Sequence, residues 1–112
     1  MPTSPLFSTN PLDDLSQLVS MARQMGARRL LVLAGKYPVC RVGRHLSEPL
    51  VEELVHFSQL EHLAAALLSP EDSARLDQDG AVEIWRTISG RDYAVNVFFG
   101  DGSHNVVVFL QQ

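Results

Sequence analysis

A single cysteine, Cys40, leaves the 112-residue chain without an intramolecular disulfide, so its fold does not depend on an oxidising compartment. No apolar run approaches the roughly 20 residues that cross a bilayer, and membrane insertion is not expected. The first ten residues carry neither Lys nor Arg and no apolar stretch, so no secretory signal is read there and a cytoplasmic location is expected. Only nine Lys and Arg stand against 13 Asp and Glu, for a net charge of −4. That shortage of clustered cations argues against nucleic acid as a partner. Repeats and low-complexity segments are lacking too. What is present is ordinary for one globular domain: 46% hydrophobic and 20% charged residues, enough for a single core.

Residues 1–10 are rich in Pro, Ser and Thr and read as a flexible N-terminal arm, with one domain over 11–112. Asn10 followed by Pro11 is a helix start, and Asp13 and Asp14 suit the positive end of the helix dipole. Leu12, Leu15, Leu18, Val19, Ala22 and Met25 form one apolar stripe that Gly26 closes. Arg29–Ala34 and Val39–Val42 flank the turn Gly35-Lys36-Tyr37-Pro38 as a β-hairpin. Residues 43–57 admit either a helix from Ser47-Glu48-Pro49 or a strand over Glu53–Phe57. Ser58 and Glu61 have capping-box spacing for a second helix, and Ser69-Pro70 opens a third that ends at Asp79-Gly80. Ala81–Ile88, Asp92–Phe99 and Asn105–Leu110, joined by short glycine-bearing turns, predict an antiparallel meander in which Trp85 and Tyr93 lie on facing strands, where they can stack, and serve the core or an interface rather than a ligand platform. The fold class expected is α+β.

Chemistry-bearing patterns are scarce. His45, His56, His62 and His104 show no ligand spacing, and Cys40, with apolar neighbours, reads as a core residue rather than a nucleophile or zinc ligand. Gly100-Asp101-Gly102 lacks the GxxxxGK[ST] pattern and the helix that would hold a phosphate, so it reads as a hairpin turn. No catalytic residues, metal or cofactor are assigned, and an enzyme is not expected. One feature stands out. Asn105-Val106-Val107-Val108-Phe109-Leu110 has no polar alternation, so both faces of that strand need cover, from the domain's own layers or from another protein. Charge is uneven as well: residues 1–45 carry +4 and residues 46–112 carry −8. A dipolar subunit of this kind attracts a copy of itself or a charged neighbour, the plainer reading being an unevenly charged solvated surface.

From residue 11 onward the chain resembles the N-terminal domain of the PilT/PilB/GspE family, the ATPases of type IV pili and type II secretion. Gly26-Ala27-Arg28-Arg29-Leu30-Leu31-Val32-Leu33-Ala34-Gly35-Lys36-Tyr37-Pro38 is similar to the family's GASDLHLSAGxPP segment, and Arg41-Val42-Gly43 to its RVDG. Leu68-Ser69-Pro70-Glu71-Asp72 through Asp79 resembles the helix before the family's ELDFSY strand. Tyr93-Ala94-Val95-Asn96-Val97-Phe98 is similar to FRVNAF, and Val108-Phe109-Leu110 to VFRTI. The resemblance implies a PAS-like antiparallel sheet with helices packed on it, which in the motors sits between ring subunits. The arginines of FRVN and VFRT, which in the motors reach toward nucleotide, correspond to Ala94 and Leu110, and neither side chain can hold phosphate. The 112 residues also contain no Walker A motif, so ATP hydrolysis is not carried over. The expectation is a non-enzymatic adaptor or regulator whose partner is a pilus or secretion ATPase, its platform, or a second copy of itself as a homo-oligomer. Its contacts are expected at Val107 and Phe109 and at the basic hairpin residues Arg28, Arg29, Arg41 and Arg44. The alternative is a PAS-type sensor with a small ligand held between helices and sheet.

Overall fold

The computed structural model describes residues 10–111, so the expected arm, Asn10 apart, lies outside the described residues. Helix α1 (Pro11–Gln24) starts where the side chain of Asn10 accepts from the amides of Leu12 and Asp13. It ends through Gly26, whose φ of +71° a side chain would strain. Strands β1 (Arg29–Val32) and β2 (Val39–Val42) form the expected hairpin, extended by a two-residue β3 (His45–Leu46).

Residues 47–56 adopt neither the helix nor the strand that their pattern allows. They are laced to the β1–β2 turn instead: the Val55 amide donates to the Lys36 carbonyl at 2.8 Å, Gly35 donates to Val55 at 2.7 Å, and Leu50 donates to Pro38 at 2.8 Å. Helix α2 (Phe57–Leu67) begins before the Ser58–Glu61 box expected from sequence. His56 is the N-cap, its Nδ1 accepting from the Ser58 amide while Gln59 Oε1 accepts from the His56 amide. An imidazole nitrogen does here what a serine hydroxyl does elsewhere. Helix α3 (Pro70–Asp79) follows its sequence signal: Ser69 Oγ and Asp72 Oδ2 exchange bonds with each other's amides, both at 3.1 Å.

The last third is the expected meander of β4 (Ala81–Ile88), β5 (Arg91–Gly100) and β6 (Ser103–Phe109). Its two-residue turns, Ser89-Gly90 and Asp101-Gly102, carry positive φ at both central positions, the twist that matches right-handed strands. β6 then pairs with β1, giving one antiparallel sheet in the order β3-β2-β1-β6-β5-β4. The molecule is therefore α+β.

The described helices pack on one face of this sheet. Leu15, Leu18, Val19 and Ala22 of α1, Leu60, Leu63 and Leu67 of α2 and Leu76 of α3 share a core with Leu30, Val32, Cys40, Val82, Ile84, Val95, Val97, Val106 and Val108. Cys40 is fully buried, as expected of a core residue. The period of two along each strand puts the intervening residues on the opposite face. Trp85 and Tyr93 are separated by this rule and do not stack: Trp85 pairs in register with Ala94, and Tyr93 with Arg86 on the core side. Residues on adjacent strands share a face when they are directly opposed or an even number of positions out of step, and these two are one position out of step.

Candidate functional site

The second face of the sheet is the candidate site. The registers set its side chains in rows. One row runs Arg41, Arg29, Phe109, Ala94, Trp85 from β2 to β4. The next runs Val39, Leu31, Val107, Asn96, Glu83, and a third holds Asn105, Phe98 and Ala81. None of Leu31, Val39, Trp85, Phe98, Val107 and Phe109 belongs to the core cluster or packs against it. Trp85 is 53% exposed, whereas Val106 and Val108, on the other side of the same sheet, are fully buried. The apolar strand seen in the sequence thus has one face covered by helices and one face, with Val107 and Phe109, left partly open.

Arg29 lies with its guanidinium carbon 5.2 Å from the centre of the Phe109 ring, a cation–π arrangement that holds the positive charge at the surface. Arg41, opposite Arg29 in the ladder, is exposed beside it. Of the residues expected from sequence, the structure brings Arg29, Arg41, Val107 and Phe109 together on this face. Arg28 immediately precedes β1 and exchanges backbone bonds with Arg41 and Leu110, and Arg44 sits in the β2–β3 turn, so both stand at the sheet end next to it.

Sequence reasoning gives Trp85 to the core or an interface without joining it to Val107 and Phe109, and it misses Phe98 and Glu83. The available signal was the alternation of β4, where Val82, Ile84 and Ile88 are buried and Ala81, Glu83, Trp85 and Thr87 are exposed. A tryptophan in the outward register of such a strand marks a surface built for contact. The two positions at which the family resemblance expects arginine fall on opposite sides. Ala94 sits in the open face between Phe109 and Trp85, and Leu110 packs against the core.

A second feature is a cavity of about 500 Å³ between α1, α2 and β1. Leu15, Leu18, Val32, Val55 and Leu60 line it together with the polar Asp14, Gln59 and His62. No helix among the described residues is long and apolar enough to cross a membrane.

The fold recurs in solved structures. It matches the pilus retraction motor PilT with bound ADP at a TM-score of 0.74, with 20% identity over 85% of this chain and 28% of the motor. It matches the ATPase DotB of Legionella pneumophila at 0.75, with 15% identity over 97% of this chain and 31% of the other. DotB of Yersinia pseudotuberculosis matches at 0.72, with 16% identity over 96% and 31%. The likeness is one of fold, and it agrees with the resemblance to the N-terminal domain of this ATPase family. The chain spans about three-tenths of the length of these proteins. No family model and no curated protein matches the chain.

Proposed function

We propose that this domain is a non-enzymatic protein-interaction module, an adaptor or regulator of type IV pilus or secretion ATPase machinery, and that it makes its contacts through the open sheet face. The observation that carries the reading is the conjunction of two facts. The fold is shared with part of PilT and DotB, and the sheet keeps an apolar face with Trp85 and Phe109 that its own helices leave uncovered. An apolar centre rimmed by Arg29, Arg41 and Glu83 has the anatomy of a protein–protein interface. Ala94 and Leu110 supply no donors where the resemblance expects phosphate-facing arginines, which supports a role without nucleotide chemistry.

The test is retrieval of the tagged chain from cells that carry such machinery. The ATPase or its platform is expected among the retained proteins, and Phe109→Asp is expected to lose it while keeping a native circular dichroism spectrum. Retrieval of neither, or retrieval indifferent to Phe109→Asp, would overturn the reading.

The cavity between α1 and α2 supports a second reading, a small-ligand sensor, since apolar walls with a few polar groups and about 500 Å³ suit a nucleotide-sized or smaller molecule. A thermal-shift screen with nucleotides, cyclic ones included, separates the two. A saturable rise in Tm favours the sensor, and none across the screen removes it.

A further inference from the structure

The charges on the open face are arranged unequally about its middle strand. Leaving aside the two-residue β3, β6 is central, with β1 and β2 on one flank and β5 and β4 on the other. The β1–β2 flank presents Arg29 and Arg41, and the β4 flank presents Trp85 and Glu83. A face that is basic on one side and acidic and aromatic on the other is complementary to itself when turned over about its own midline.

We propose that a second copy of this chain covers the open face, the two sheets packed face to face about a twofold axis parallel to β6. This inference rests on reading the open face as a docking surface and assigns its occupant. A twofold axis along β6 exchanges the flanks. It sets Arg41 and Arg29 of each copy over Trp85 and Ala94 of the other, with Glu83 one pleat away, about 7 Å along the strand and within reach of an extended guanidinium. An axis across the strands instead puts arginine over arginine and is disfavoured by like charge. Phe109 and Val107, on the axis, meet their own copies, so the apolar middle closes on itself as an isologous interface requires. Aligned packing of two sheet faces about 10 Å apart is an ordinary arrangement.

The area decides how tight the dimer is. Two rows span five strands about 4.8 Å apart and the third spans three, with rows about 6.8 Å apart, so the face covers about 420 Å² per copy. The pair thus buries roughly 850 Å², the size of a weak, transient contact rather than of a stable one. The expected species is a reversible dimer whose population rises with concentration.

Sedimentation velocity across a concentration series is the first measurement. The second uses two charge reversals, Glu83→Arg in one chain and the pair Arg29→Glu with Arg41→Glu in another. Each variant alone faces like charge across both contacts and is expected to dimerise about tenfold or more weakly than wild type. An equimolar mixture restores an opposite-charge pair at both contacts and is expected to form a heterodimer of near wild-type strength. A wild type that remains a 12.4 kDa monomer at about 200 µM overturns the proposal. So does a mixture that associates no better than its components, or reversals that leave dimerisation unchanged. The wild-type series stands even if a variant fails to fold. A monomeric wild type that still retrieves an ATPase through Phe109 would sink the self-association alone, and a dimer that retrieves none would sink only the link to the machinery.

Discussion

Arg86 and Asp72 meet across the junction between α2 and α3, guanidinium Nη2 to carboxylate Oδ2 at 2.7 Å. The same guanidinium donates from Nε to the Leu67 carbonyl at 2.8 Å and from Nη1 to the Trp85 carbonyl at 2.7 Å. One side chain thus closes the C-terminal end of α2, the first turn of α3 and its own strand. Arg86 occupies an inward register position that Val82, Ile84 and Ile88 fill with hydrocarbon. The polar residue belongs there because the helix end leaves a carbonyl without an intrahelical donor.

Replacing Arg86 with Met therefore removes the donors from three acceptors at once. The ion pair is partly exposed, with side chains 34% and 14% accessible, so the cost is moderate rather than that of a buried pair. Chemical denaturation is expected to show a loss of about 2 kcal/mol. Arg86→Lys recovers less than half, because an ammonium lacks the planar fork that reaches three acceptors. Equal stability of Lys and Arg would contradict this account.

The acid limb of the stability curve depends on Asp72. Its carboxyl is held below the usual carboxylate range, first by the Ser69 amide, then by the Ser69 hydroxyl, and further by Arg86. A depressed carboxyl contributes stability that is complete above its unfolded value, about 3.9, and is lost as pH falls through the lower folded value. Asp72→Asn is expected to lower Tm at pH 7 and to shrink the further drop between pH 5 and pH 3. A drop as large as that of the wild type would remove Asp72 from the acid response.

The termini of the elements are written in local punctuation: Asn10-Pro11, Ser69-Pro70, Gly80, Ser89-Gly90 and Asp101-Gly102 each stand where a cap or tight turn forms. Residues 47–56 are not legible in this way because their order comes from backbone bonds to Lys36, Gly35 and Pro38, and no periodicity encodes a bond to a distant turn. The N-cap of α2 was misread for a related reason. Ser58 is the commoner capping residue, and only the geometry at His56 shows that an imidazole took the position. For the site, the apolar run of β6 pointed to Val107 and Phe109, whereas joining them to Arg29 on one side and Trp85 on the other required the long-range β1–β6 pairing.

Asn105 shows what the apolar reading of β6 passed over. It is buried, its Oδ1 accepts from the Ala34 amide at 2.9 Å, and its Nδ2 donates to the carbonyls of Gly100 and Ser103. It clamps the exit of β1 to the β5–β6 turn. Asn105→Val keeps the strand propensity and deletes every one of these bonds, so a loss of about 2 kcal/mol is expected. Amide exchange at Ala34 is expected to accelerate beyond what the global loss accounts for; an unchanged exchange rate would show that the clamp is not local.

The two positions at which the family resemblance expects arginine give the sharpest contrast. Ala94 is 8% exposed and opens toward the uncovered face, flanked in register by Phe109 and Trp85. An arginine introduced there adds bulk at a buried position, but it stands in register between two aromatic residues, and each favourable cation–π contact returns about 0.5–1 kcal/mol against that cost. Leu110, by contrast, packs against the core, and Leu110→Arg is expected to cost about 1–2 kcal/mol through lost apolar burial. Ala94→Arg is thus expected to leave the denaturation midpoint nearly unchanged while placing charge in the middle of the contact surface and weakening self-association severalfold. Neither variant, nor the two combined, is expected to gain a thermal shift with ADP or ATP, since one cation would stand on each side of the sheet and no single phosphate can reach both. A nucleotide-dependent rise in Tm for the double variant would mean that the two positions converge on a common ligand, against the opposite-face register that the strands display.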